Sequence, residues 1–195
     1  MPLDEGILRS DGGLRYLSSD TGEESVINSF IRPELRKGSS KYQYLIIPLV
    51  RKLVGEGMSV IVFRETKGEA RWCARYLAES LGLPPAQAVL NELPSGDPSL
   101  ASQQLREALR GGVGFHIADL DPEERHLIEE HFRRPASPIS VIVATTTQAM
   151  GVNTPAEAVV IAGLEHPGQI PYTIAEYKSI AGRADSAFRA RVLHI

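Results

Sequence analysis

The sequence predicts an α/β three-layer sandwich built on a mostly parallel sheet and preceded by a small β-hairpin. Short strand-like runs at 59–63, 113–116, 139–144 and 158–161, the third of them rich in β-branched residues, alternate with stretches whose apolar residues recur at helical spacing. Three of the helical stretches open with a residue pattern that caps an amino terminus: Thr66 with Glu69, Asp121 with Pro122 and Glu124, and Thr173 with Glu176. Connections between these segments are mostly a few residues long, as expected when strands and helices pack in alternation.

Each element has its own warrant. From Gly6 to Leu17 two short strands flank Asp11-Gly12, a strong hairpin signal. Ser18 to Ser40 is polar and reads as a connector with a short helix around Val26-Ile27 and Phe30-Ile31. We therefore divide the chain into a hairpin and connector, residues 1–38, and a main domain, residues 39–195. Leu45, Ile46, Leu49, Val50 and Leu53 define a helix with Ser39 and Ser40 available as caps. Pro48 inside it predicts a kink or a start near Ile47.

Ser59 to Phe63 is the next strand, and the helix after it buries Ala70, Cys73, Ala74, Leu77 and Leu81 before Gly82 stops it. On this helix Trp72 and Tyr76 are read as partial core, in preference to a base-stacking pair. Leu83 to Pro98 is Pro-rich and irregular, and Asp97-Pro98 starts a helix through Leu105 to Gly111. Val113–His116 is a strand, Asp121 opens a helix with Leu127, Ile128 and Phe132 inward, and Thr173 opens a last helix carrying Tyr177, Ile180 and Arg183. No internal repeat occurs.

At 195 residues, with 43% hydrophobic and 23% charged residues, the composition is that of one folded domain. No apolar run is long enough to span a bilayer and the amino terminus has no leader pattern, so a cytoplasmic protein with no membrane partner is expected. The single cysteine, Cys73, excludes an intrachain disulfide. His126 and His131 are five apart and do not share a helix face, so no metal site is expected. The net charge of −3 leaves nucleic acid open, because a local basic patch suffices to hold phosphates. No Gly-x-x-x-x-Gly-Lys-Ser/Thr loop is present, and Gly111-Gly-Val-Gly114 precedes a strand, which makes it a helix stop and turn.

Chemistry concentrates after the strand at 139–144, where Thr145-Thr146-Thr147 and Gly151-Val-Asn153-Thr-Pro155 follow its carboxyl end. Ligands of open α/β sheets bind at that end. The plain alternative is a buried strand followed by an ordinary loop.

Phe63-Arg-Glu-Thr66, the run from Thr145 to Ala156, and Ala181-Gly-Arg183 occur in an order and at a spacing that resemble motifs IV, V and VI of superfamily 2 helicases. Phe115-His116 with Ala118-Asp-Leu120 and Glu124-Arg125 matches the segment ahead of motif V, and the amino-terminal hairpin resembles the linker between the two motor domains. The chain thus looks like the second RecA-like domain of a DEAD/H-box helicase of the Ski-like branch.

The resemblance implies that ATP and Mg2+ sit between this domain and a first RecA-like domain carrying the phosphate loop, while single-stranded RNA or DNA crosses both. Arg64, Thr66, His116, Thr145, Thr146 and Thr147 would contact the strand, and Gly151 and Asn153 would lie against the nucleotide. Arg183 would be the arginine finger, neutralising charge on the transferred phosphoryl group. The plain alternative is a solvated arginine near a helix end.

Motif VI departs from the family pattern: Ser179 replaces a glutamine, and Asp185-Ser186 stand where Gly-Arg is usual. The family would also continue past Ile195 with another glycine-bearing turn and strand, so a truncated or frameshifted end is expected. By itself the domain is expected to be inactive and to bind ATP weakly. The alternative reading is a helicase-like module that binds nucleic acid or protein without turnover.

Overall fold

The computed structural model describes all residues except 1–3, 19–20, 35–41, 97, 135, 146–155, 164, 167–169, 172 and 182–190. In chain order the elements are β1 (Asp4–Leu8), β2 (Leu14–Leu17), β3 (Glu24–Ile27), α1 (Gln43–Gly55), β4 (Val60–Arg64) and α2 (Lys67–Leu81). There follow α3 (Gln87–Glu92), α4 (Leu100–Leu109), β5 (Val113–His116), α5 (Pro122–Arg133), β6 (Val141–Thr145) and β7 (Ala158–Ile161). The last are β8 (Glu165–His166), β9 (Ile170–Pro171), α6 (Ile174–Ala181) and β10 (Arg191–His194). Eight strands form one mixed, mostly parallel sheet in the order β3-β2-β1-β10-β7-β4-β6-β5, and β8 and β9 pair separately. The expected α/β sandwich is the observed architecture. The chain divides into two compact units, residues 1–60 with 155–195, and residues 61–154.

In the first unit the hairpin forms where Asp11-Gly12 predicts it, with β1 and β2 antiparallel and Leu8 opposite Leu14. The Asp11 carboxylate accepts from the Gly13 amide at 2.9 Å, and Gly12 adopts φ 86°, which favours glycine. The Gly12 carbonyl accepts from the amides of Phe30 and Ile31, both at 3.0 Å, folding the connector back over the turn. The connector contains no helix at Val26-Ile27. Glu24–Ile27 is strand β3, held antiparallel against β2 with Val26 opposite Arg15. Pairing with a neighbour decided the conformation of a segment too short to form a helix unaided.

Strand β10 lies between β1 and β7, parallel to both, with Leu193 opposite Gly6 and Val160. Helix α1 starts at Gln43 and runs through Pro48, so of the two expectations the start near Ile47 does not hold. Proline has no amide hydrogen, so the Tyr44 carbonyl one turn earlier loses its helical donor. The Glu34 amide supplies the bond at 2.9 Å. The expected caps Ser39 and Ser40 lie outside the described residues. Ser59 and Glu157 clamp the entries to β4 and β7: the Ser59 amide and hydroxyl both donate to Glu157 Oε2, at 2.7 and 3.1 Å.

In the second unit, β5 and β6 run parallel with Phe115 opposite Val143, and their residues are buried throughout. Helix α2 buries Ala70, Cys73, Ala74, Tyr76 and Leu77. Burial pushes the Cys73 thiol up to about 12, against the lowering effect of Arg64, so it stays protonated and unreactive. Gly111 follows α4 because a Cβ there would lie 2.6 Å from the Ala78 carbonyl oxygen on α2. Helix α3 was not expected: it lies between Pro-rich segments and has no side-chain cap, and the Ala86 amide ahead of it donates to the Leu109 carbonyl at 2.8 Å. Helix α4 is capped by Ser99, whose hydroxyl accepts from the Ser102 amide, and Asp97 lies outside the described residues. Glu124 on α5 is buried and accepts from the Ser102 hydroxyl at 2.8 Å and from Arg106 at 3.3 Å.

Gly12→Ala tests the hairpin account. The new methyl group would press into the Ile31 carbonyl oxygen at a backbone angle unfavourable to alanine. We expect a loss of about 2 kcal/mol or more in urea unfolding. An unchanged midpoint would contradict the tight turn.

Candidate nucleic-acid and nucleotide interface

The last residues of three neighbouring strands of the second unit, Arg64 of β4, Thr145 of β6 and His116 of β5, are those the sequence singled out. Because β5 and β6 are parallel, His116 and Thr145 leave the sheet at one edge. The turn after β4 reaches the same place, since Lys67 Nζ lies 2.5 Å from the Asp119 carboxylate in the turn after β5. Arg71 adds a second contact to Asp119 at 3.6 Å.

The turn from β4 into α2 forms the expected capping box. Thr66 Oγ1 accepts from the Glu69 amide at 3.2 Å, and Glu69 Oε2 accepts from the Thr66 amide at 3.3 Å. Glu69 Oε1 also accepts from Arg64 Nη2 at 3.1 Å. Arg64 is only 3% exposed, so its guanidinium lies behind the edge, whereas Thr66 and Lys67 lie on the exposed surface.

His116 is buried as well. Its Nε2 bonds Glu129 Oε1 at 2.8 Å, and Nδ1 is buried without a hydrogen-bond partner among the described residues. Burial holds its pKa below the ordinary value and outweighs the opposing pull of Glu129. The ring is therefore neutral near pH 7, with Nε2–H donating to Glu129 and Nδ1 bare. Thr145 is buried. The remaining expected contacts, Thr146, Thr147, Gly151, Asn153 and Arg183, lie outside the described residues.

In the first unit, α6 carries the residues that lead into motif VI. The Tyr177 hydroxyl donates to Glu5 Oε1 at 2.5 Å and meets His194 Nε2 at 3.0 Å, and the Tyr177 and His194 rings stack at 5.3 Å. Tyr177 thus fastens α6 to β1 and β10. Burial and then Glu5 raise the Tyr177 pKa, while burial lowers that of His194 against the effect of Glu5. Sequence reasoning missed this cluster because 172 residues separate its first two members.

Trp72 departs from the reading of the sequence. Tyr76 is buried as expected of a core residue, but the Trp72 ring is 48% exposed. Among the described residues no cluster of three His, Cys, Asp or Glu side chains could hold a metal ion, and no helix is long and apolar enough to cross a membrane.

A mostly parallel eight-stranded sheet whose polar turns gather at the strand ends is a RecA-like α/β sandwich. The chain is 33% identical over 185 residues to the ATP-dependent DNA helicase Hel308 of Thermoplasma acidophilum, which covers 93% of the chain and 26% of that protein. It is 34% identical over 148 residues to the ATP-dependent DNA helicase Hel308 of Pyrobaculum calidifontis, covering 71% of the chain and 21% of the relative. A third protein of that name, from Methanocella arvoryzae, is 32% identical over 147 residues, covering 70% of the chain and 20% of the relative. No family model matches. The chain spans about a quarter of the length of these curated relatives. It belongs to the superfamily 2 helicases, as a helicase C-terminal domain.

The two depressed histidines predict a pH dependence. In the unfolded chain both take a proton near pH 6.5, while the folded chain resists doing so. Their contribution is complete above about pH 6.5 and is lost as the pH falls toward the folded pKa values. We expect a lower urea midpoint at about pH 5.5 than at about pH 7.5, and a smaller difference in His116→Asn. An equal pH difference in the variant would contradict the buried neutral ring.

Proposed function

We propose that the chain is the C-terminal motor domain of an ATP-dependent helicase of the Ski-like DEAD/H-box branch, acting on single-stranded DNA. The supporting observation is the kinship with DNA helicases across 71 to 93% of the chain. In this reading residues 1–38 are the linker that joins two motor domains, and residues 39–195 are the domain proper. Such a protein works in the compartment that holds the DNA, the cytoplasm in a cell without a nucleus.

Strand contact would be made at the edge formed by β4, β5 and β6. Backbone amides and the hydroxyls of Thr146 and Thr147 can donate to phosphates without reading bases, Thr66 and Lys67 can do the same from the first turn of α2, and Thr145, buried at the end of β6, would set the start of the motif V turn. Arg64 and His116, buried and bonded to Glu69 and Glu129, would act by bracing this edge.

Gly151 and Asn153 would face the nucleotide, and Arg183 would approach the phosphoryl group as a finger. ATP supplies the driving reaction when bound, and Mg2+ would be held with it by the phosphate-loop domain. This sequence has no such loop, and its described residues offer no acid cluster for the ion. A second reading, binding without turnover, is favoured by Asp185 and Ser186, which leave motif VI one arginine short.

The test is titration of a labelled single strand with the 195-residue chain at two salt concentrations. We expect roughly micromolar or weaker affinity at physiological salt, falling as salt rises and indifferent to base sequence. Replacing Thr145 and Thr146 together by Val should weaken it several-fold. Equal binding by that variant would remove motif V from the strand's path.

A further inference from the structure

A groove of about 660 Å³ runs between α2 and α4, within the second unit and away from the sheet edge's own hydrogen bonds. It begins at Gly68, in the first turn of α2, and ends at Gly111, where the two helices come close enough that a Cβ would strike Ala78. Trp72 stands in its wall, 48% exposed, and is the only tryptophan of the chain. A large aromatic ring left half in water on a helix with a well-filled core stripe is not explained by packing.

Three features of the groove share one chemistry. The Arg75 guanidinium lies over the Trp72 ring, 5.3 Å from its centroid, and the residue is still 48% exposed, which leaves ring surface on which a second π system can stack. Arg71, Arg75 and Arg110 line the groove against two acids, Glu79 and Glu107, and Glu79 is already paired with Arg75 at 2.9 Å. Arg110 is exposed and makes no ion pair among the described residues. The Gln104 carbonyl oxygen is buried in the wall without a hydrogen-bond donor among the described residues. A buried acceptor without a partner costs free energy that a donor on a bound group would recover.

We propose that this groove is a second track for single-stranded nucleic acid, which leaves the edge at Thr66 and Lys67 and runs down α2. One base stacks on Trp72 and offers an amino or imino donor to Gln104, and Arg110 takes a phosphate. An aromatic platform beside arginines, of which Arg110 has no ion pair among the described residues, binds any base, because every base has a π face. The track rests on the strand-binding reading above and extends it by a site on the flank of the domain.

The single tryptophan makes the test direct. Titrate the 195-residue chain with a labelled oligothymidylate about 12 nucleotides long, a length within the span that such sites cover. Record strand anisotropy and tryptophan emission in the same samples. Emission should be quenched by about half or more, with the same midpoint as the anisotropy. Trp72→Ala should bind about tenfold more weakly, the order expected for one stacked base. Arg110→Ala, exposed and remote from the core, should lower the salt slope by about one.

Binding without quenching, and with native affinity in both variants, overturns the track while leaving strand binding at the edge intact. No binding by either readout overturns the track and the strand-binding reading together. Quenching by an acidic peptide of similar length, with none by the oligothymidylate, assigns the groove to a protein partner and overturns the track.

Discussion

One carboxylate organises the edge on which the functional reading rests. Glu69 takes the Arg64 guanidinium with one oxygen and the Thr66 amide with the other, while its own amide donates to the Thr66 hydroxyl. The end of β4, the turn and the start of α2 are thereby fixed to each other. A buried cation without such a partner would be strongly unfavourable, so the pair also decides that Arg64 stays behind the surface. What the described part of this edge shows to solvent is then Thr66 and Lys67. His116 and Glu129 repeat the arrangement at the end of β5, with a neutral ring in place of the guanidinium. Buried polar pairs thus stand behind the exposed Thr66 and Lys67, which suits a surface that grips a backbone without reading sequence.

Much of the fold was legible because its signals are local. Asp11-Gly12 specifies the hairpin, and Thr66 with Glu69 and Asp121 with Glu124 specify helix starts, through contacts within four residues. The strands at 60–64 and 141–145 follow from β-branched runs buried on both faces, and that at 113–116 from a short run between helix signals. What the sequence did not announce was set by distant partners. Glu24–Ile27, expected as part of a short helix, is a strand against β2, and Arg191–His194, assigned to no element in the sequence, is a strand between β1 and β7. Pro48 sits mid-helix only because the Glu34 amide takes the carbonyl it strands. Each outcome is set by a partner distant in the chain.

The candidate site divides the same way. Of the expected positions Arg64, Thr66, His116 and Thr145 fall on described residues, and the ends of β4, β5 and β6 bring Arg64, His116 and Thr145 to neighbouring strands. Exposure was not legible: nothing near Arg64 or His116 in the sequence announces that a helix covers each of them. Trp72 erred in the opposite direction. Position 72 lies one residue off the stripe formed by Ala70, Cys73, Ala74 and Leu77, enough to turn a large ring from the core to its margin. The Tyr177, Glu5 and His194 cluster was invisible for the reason that makes it informative, since it fastens the helix ahead of motif VI to the sheet across nearly the whole chain.

The central claim is that this domain completes an ATP site built elsewhere. The most direct measurement joins the chain to a phosphate-loop motor domain and follows ATP turnover stimulated by single-stranded DNA in the sequence as it stands and in Arg183→Ala. The account predicts strand-stimulated turnover that falls by about 1000-fold in the variant, because a finger acts on the transition state and little on nucleotide affinity. Turnover in Arg183→Ala equal to that of the unaltered chain would contradict it and leave a helicase-like domain that binds without driving hydrolysis.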